Sequence, residues 1–114
     1  MVLAGRPFVQ AAHRAIRELG GKIVVGTDAG ITLAKPHDVA PHAIHNLMVI
    51  GMTPVEALAS MTSGGADALG LPAKDRLAQG ADTDIIVVDG DPRSDPDAVS
   101  RILQVWKSGE PVAR

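Results

Sequence analysis

The sequence has no cysteine and no tyrosine, and its aromatic supply is one phenylalanine and one tryptophan, Phe8 and Trp106. Without cysteine it has no disulfide, no thiolate ligand for zinc and no thiol nucleophile. That absence fits a reducing cytoplasm. So few rings leave no stacking platform for single-stranded nucleic acid. They also mean that any core is built from Val, Ile, Leu, Met and Ala. Long basic runs are missing and the formal net charge is −2, which removes the electrostatic footprint of a nucleic-acid binder. No apolar run approaches the roughly 20 residues of a membrane helix. The opening Met1 to Pro7 lacks the basic flank and apolar centre of a signal peptide. The expectation is a soluble, cytoplasmic protein that binds neither nucleic acid nor membrane.

What is present is ordinary for a folded chain. There are 114 residues, 46% hydrophobic and 21% charged, enough for one domain with a modest core. Residues Pro7 to Leu19 have helical spacing, with Phe8, Ala12, Ala15, Ile16 and Leu19 on one face and Arg14, Arg17 and Glu18 on the other. Gly20-Gly21 stops that helix. Lys22 to Gly26 is a short, β-branched run of the kind found in strands buried on both faces. Helix, double glycine and buried strand suggest an α/β layer with parallel strands.

A loop rich in Gly, Pro, Thr and Asp runs from Thr27 to Pro41. A second helix is expected over Ala40–Ile50, with Ile44, Leu47 and Met48 on its apolar face. Thr53-Pro54-Val55-Glu56 is a capping box with proline at the first helical position. The helix it opens is expected to reach Leu69 and to bury Val55, Leu58, Thr62 and Leu69. Gly64-Gly65 in its interior costs on the order of 1 kcal/mol per glycine relative to Ala. After Gly70 the pattern changes. Ile85 to Val88 reads as a strand bracketed by Asp84 and Asp89, Gly90-Asp91-Pro92 as a turn, and Ile102 to Ser108 as an alternating strand. Gly109-Glu110 makes a turn, and Pro111-Val112 begins a last short strand.

Three groups of residues could carry chemistry. Asp28 follows a strand and lies between Gly26 and Gly30. At the carboxyl end of a parallel strand a carboxylate can ligate a divalent metal or take a proton from a metal-bound water. It can equally cap the turn that follows. His37, His42 and His45 fall within nine residues, with His42 and His45 at i, i+3 on one helical face and Asp38 nearby. They are either a zinc site or imidazoles that cap a loop, line a pocket or face solvent. Asp82, Asp84, Asp89, Asp91, Asp95 and Asp97 do not keep calcium-loop spacing and read as turn chemistry on a solvated edge. The fingerprints of dinucleotide-binding, P-loop and nucleophile-elbow sites are absent, which weakens a nucleotide-binding reading of the 26–30 loop.

Taken in order, Val24 to Gly30, His37, Gly51 to Leu58, Ala66 to Leu71 and Leu77 to Pro92 resemble the C-terminal part of the metal-dependent amidohydrolase superfamily. The likeness is greatest to its imidazolonepropionase-like and Xaa-Pro-dipeptidase-like members. The resemblance implies an α/β fold: the last β/α units of a (β/α)8 barrel over residues 1–70, and C-terminal strands of the flanking β-sandwich over residues 71–114. The barrel is incomplete. It implies that Asp28 is a metal ligand and catalytic proton carrier, and that His37 faces the substrate. It implies a divalent metal, zinc first, in the complete site, and a small amide, lactam or dipeptide substrate whose C–N bond is hydrolysed by metal-activated water.

The family's His-x-His pair, its Lys or Glu and its two further His are not in this sequence. Asp75 stands where the family has Gly, and Thr83 where Ala is usual. The isolated chain is therefore expected to be inactive, and two states are open to it, with a metal or without one. Two alternatives stand beside an amidohydrolase fragment that lacks its N-terminal part. One is a stand-alone homo-oligomeric binding or assembly module; the other is one subunit of a split hydrolase completed by another chain.

Overall fold

A computed structural model describes residues 6–30, 33 and 37–113. The first five residues and part of the 27–41 loop lie outside them. The elements are helices α1 (Arg6–Glu18), α2 (Ala40–Val49), α3 (Pro54–Met61) and α4 (Ser63–Ala68), then strand β1 (Ile85–Val88). A 3-10 turn (Pro96–Ser100) and strands β2 (Ile102–Lys107) and β3 (Glu110–Pro111) complete the order.

The helices stop where local chemistry stops them. After α1, α2 and α4 a glycine takes positive φ: Gly20, Gly51 and Gly70. The next amide then reaches back five residues, from Gly21 to Ile16 (2.9 Å), from Met52 to Leu47 (3.1 Å) and from Leu71 to Ala66 (2.9 Å). This is how a left-handed C-terminal residue satisfies orphan helix carbonyls. At the start of α3 both halves of the capping box form. The Glu56 amide donates to Thr53 Oγ1 at 3.2 Å, and the Thr53 amide donates to Glu56 Oε2 at 2.8 Å.

The core lies between α2 and α3. Ile44, Leu47, Ile50 and Ala57 are buried, and Ile23, Val25, Met52, Leu58, Met61 and Val99 pack against them. Burying one such aliphatic side chain contributes about 1.5–3 kcal/mol. The apolar face expected on α2 is thus the one used.

Two expectations need correction. Lys22–Gly26 does not form a strand. A strand exists only through bonds to neighbouring strands, and no strand pairs with this segment among the described residues. The segment still alternates in burial: Ile23, Val25 and Thr27 are half-buried, while Lys22, Val24, Gly26 and Asp28 are exposed. One side lies on the helices and the other is uncovered.

The helix expected from Pro54 to Leu69 is broken at Thr62, whose φ of −130° and ψ of −110° are not helical. The Ser60 carbonyl accepts from the Val25 amide at 3.3 Å, and the Thr62 hydroxyl donates to the Leu58 carbonyl at 2.8 Å. Such competing bonds bend helices. The break changes which residues face inward. Ala57, Ser60 and Ala66 are buried, Leu58 is half-buried, and Val55, Thr62 and Leu69 are exposed.

Helix α1 forms as its spacing predicts, and none of its residues is buried. Its basic side meets the other helices. Arg6 donates to Asn46 Oδ1 (3.0 Å), Arg14 to the Val49 carbonyl (2.7 Å) and Arg17 to Glu56 Oε2 (2.9 Å). Its apolar side faces away.

The three strands expected after residue 84 are present as an antiparallel sheet in the order β1-β2-β3. The β2–β3 turn is Ser108-Gly109, both at positive φ, as a two-residue hairpin of type I′ requires. The alternation expected along β2 breaks at a bulge. The register passes from Val87↔Gln104 to Val88↔Ile102, leaving Leu103 without an opposite residue. Asp75 has φ of 52°, which explains why glycine would suit that turn. Thr83 donates to the Arg76 carbonyl (2.8 Å) and accepts from its amide (3.3 Å), a clasp that alanine could not make.

Candidate functional site

The candidate site is built on the loop that leaves the 21–28 segment. Alternation along that segment puts Asp28 on its uncovered side, with Val24 and Gly26. Asp28 itself is at φ 49°, a left-handed conformation that Asp tolerates better than most side chains. The Thr27 hydroxyl accepts from the Ala29 amide at 3.3 Å and steadies the turn. Gly30 follows at φ 90°, and the His37 ring lies where a Cβ on Gly30 would be. Any other residue at 30 would displace that imidazole. The glycine therefore has two roles, a turn conformation and a seat for the ring.

The structure thus brings two of the expected site residues to one loop, Asp28 and His37. It does not gather the three histidines. His42 and His45 are on α2, and His45 Nε2 lies 2.7 Å from Asp97 Oδ1, which ties α2 to the 3-10 turn. Among the described residues no group of three or more His, Cys, Asp or Glu side chains could hold a metal ion. A zinc site wants three protein ligands and an open position. The described residues by themselves do not fit a complete metal site. Asp28 offers one carboxylate.

The remaining acidic residues do the turn chemistry expected of them. Asp91 accepts two bonds from Arg93 Nε (3.0 and 3.2 Å) and one from its Nη2 (2.9 Å). The Arg93 side chain and amide hold the Asp91 carboxyl below its usual range. Arg101 bonds Asp95, and with the Asp97 amide it lowers the Asp95 carboxyl likewise. Asp84 accepts from the Ser108 amide at 3.0 Å, and Asp82 pairs with Lys74. Glu56 is lowered first by the Thr53 amide and then by the Arg17 charge.

A groove of about 350 Å³ lies at the other end of the 21–28 segment, lined by Gly21 to Val24 and by Arg17, Glu56, Ser60 and Asp67 among others. Asp28 and His37 do not line it. Sequence reasoning did not find the His45–Asp97 and Arg76–Asp67 pairs. The first joins residues 52 positions apart, and no local pattern signals it.

The profile of the amidohydrolase family matches residues 2–112. Imidazolonepropionases from Anaeromyxobacter sp. (strain K) and Anaeromyxobacter dehalogenans are each 34% identical over 77 residues, 68% of this chain and 18% of theirs. A crystal structure of a Bifidobacterium longum protein assigned as a prolidase superposes with a TM-score of 0.80 at 30% identity. The match covers 92% of this chain and 26% of that one. The chain therefore spans about a fifth to a quarter of the length of these relatives.

Proposed function

Because the chain belongs to the amidohydrolase family, we propose that it is the C-terminal segment of a hydrolase acting on C–N bonds of small amides, lactams or dipeptides, and that Asp28 is its contribution to the reacting centre. In this reading residues 21–28 are the last strand of a (β/α)8 barrel. The uncovered side bearing Val24, Gly26 and Asp28 is the side that faces the barrel interior. Residues 71–113 are the returning strands of the flanking sandwich. The boundary near residue 70 falls where helices give way to strands.

The observation that carries this reading is the Asp28 loop. A carboxylate stands at the carboxyl end of an alternating segment, on its uncovered side, in the family's order of motifs. His37 packs on Gly30 within the same loop, and in this reading it meets the substrate. In the complete family site a divalent metal, zinc first among the candidates, would activate the attacking water. The ligands that would hold it beside Asp28 are not among this chain's described residues. The remaining strands come from further polypeptide or from another chain, in the cytoplasm. The isolated chain is inactive.

The experiment is direct. Purified 114-residue protein with added zinc or manganese should hydrolyse amide, lactam and dipeptide substrates no faster than buffer. Turnover by this chain that Asp28→Ala abolishes would show the inactivity claim to be wrong. The Asp28 claim is tested separately by grafting this chain onto an imidazolonepropionase in place of the matched segment. Activity of that chimaera should be lost with Asp28→Ala. Retained activity would remove Asp28 from the reacting centre.

A further inference from the structure

Gly30 does more than turn the chain after Asp28. A Cβ built on it would overlap Cε1 of the His37 ring and lie 2.8 Å from Nε2 and 3.1 Å from Nδ1. Non-bonded heavy atoms in good contact sit about 3.5–4.0 Å apart. Any other side chain at 30 would therefore push the imidazole aside by on the order of 1 Å. The atoms in the way are the Cε1 edge and both nitrogens. A shift that clears the overlap moves the hydrogen-bonding groups of the ring.

The other crowded glycines are different in kind. Gly21 and Gly64 meet Ile16 and the Ala59 carbonyl, each five positions back in the chain, as helix ends and breaks require. Gly51 and Gly90 meet the far ends of the Arg17 and Arg101 side chains, which can swing away. Among the described residues, only Gly30 has a ring where its Cβ would be.

We propose that Gly30 is a positioning residue of the reacting centre: by seating the His37 ring, it fixes that ring relative to the Asp28 carboxylate. The proposal rests on the roles given above to Asp28 and His37. Gly30 is two residues from Asp28 and shares its turn. That turn is held by the Ala29 amide donating to Thr27 Oγ1 at 3.3 Å. A ring that rests on the turn keeps its place beside the carboxylate. A ring without a seat must be ordered by the substrate itself, which weakens binding. A misplacement of about 1 Å can cost about 10²-fold in rate.

Two measurements test this. In the 114-residue chain, proton NMR should show a close contact between His37 Hε1 and the Gly30 α protons. In the imidazolonepropionase chimaera, His37→Ala and Gly30→Asn should each lower kcat/KM by about 10- to 100-fold, mainly through KM, with bound metal unchanged. Asparagine accepts a left-handed backbone better than most residues yet carries a Cβ, so it separates the seat from the turn. Gly30→Ala should fail in the same way. In a His37→Ala background, Gly30→Asn should add little further loss, because the ring that it displaces is gone.

The wild-type KM in Gly30→Asn would overturn the proposal. So would an equal loss from Gly30→Asn with and without His37, which would make Gly30 a turn residue alone. Loss of bound metal in Gly30→Asn would place its effect on Asp28 and overturn it too, as would absence of the NMR contact. If Asp28→Ala abolishes activity while His37→Ala leaves KM unchanged, Asp28 keeps its role and the proposal for Gly30 falls. If Asp28→Ala stays active while the Gly30–His37 coupling is found, the role of Asp28 falls and the seat stands.

Discussion

The α2–α3 pair and the β1–β2 pair are both aliphatic, yet they sit in different surroundings. In the first, Ile44 and Ala57 are fully buried and Leu47 and Ile50 are nearly so. In the second, Ile85, Ile86, Val87 and Leu103 remain 39–64% exposed. The difference lies in how each element satisfies itself. A helix makes its backbone bonds internally, so two short helices joined by Gly51 to Thr53 can bury a stripe against each other with little help. A sheet has two faces, and covering both takes a further layer. Among the described residues the sheet lacks that layer. The 21–28 segment goes one step further, since it lacks even the neighbours that would make it a strand. The α2–α3 pair buries its own stripe, and the sheet leaves its aliphatic side chains half uncovered.

Core truncation should give the largest contrast. Ile44→Ala removes a fully buried side chain and should cost about 2–5 kcal/mol in denaturant unfolding. Ile86→Ala, on the exposed sheet, should cost under about 1 kcal/mol in the same measurement. Equal losses would erase the distinction between the two regions.

Loss of the α3 cap comes next. Thr53→Ala should cost about 1 kcal/mol, read as a lower unfolding midpoint and reduced helicity.

A pH titration sharpens the same point. The folded-state pKa of Glu56 lies below its ordinary value of 4.5. Its contribution to stability is therefore complete above that value, and it is lost as the pH falls through the lower folded value. Glu56→Gln should flatten the dependence of stability on pH in that acid window and leave it unchanged near neutrality. An unchanged acid limb would show that the box and Arg17 do not act through this carboxylate.

The smallest expected effect is a gain. Asp75 is held at positive φ, so Asp75→Gly should relieve strain and raise stability by up to about 1 kcal/mol. A lower melting temperature would show that the Asp75 side chain supports its turn.

The features legible beforehand are those fixed by neighbours in the chain. The Thr53–Glu56 box, the glycine stops after α1 and α2, the apolar face of α2 and strands β1 and β2 all belong to this class. Each depends on spacing within a few residues. The features that escaped depend on distant contacts. The break at Thr62 accompanies a bond from Val25 to the Ser60 carbonyl, made across 35 residues. The reversal of α1 depends on acceptors at Asn46, Val49 and Glu56. In the candidate site, the family's order of motifs nominates Asp28 and His37. The seat of the His37 ring on Gly30 was not legible, because ring packing leaves no periodic trace.

The sequence by itself determined the family, the ends of α1 and α2 and the capping box, because local hydrogen bonds and backbone preferences decide them. Only the tertiary structure decided which face of α1 looks outward, where α3 gives way to α4, and that Lys22–Gly26 has no strand beside it among the described residues. Those outcomes depend on which donors, acceptors and apolar surfaces meet across the fold. An aliphatic run specifies a willingness to be covered, and only the folded chain shows whether anything covers it.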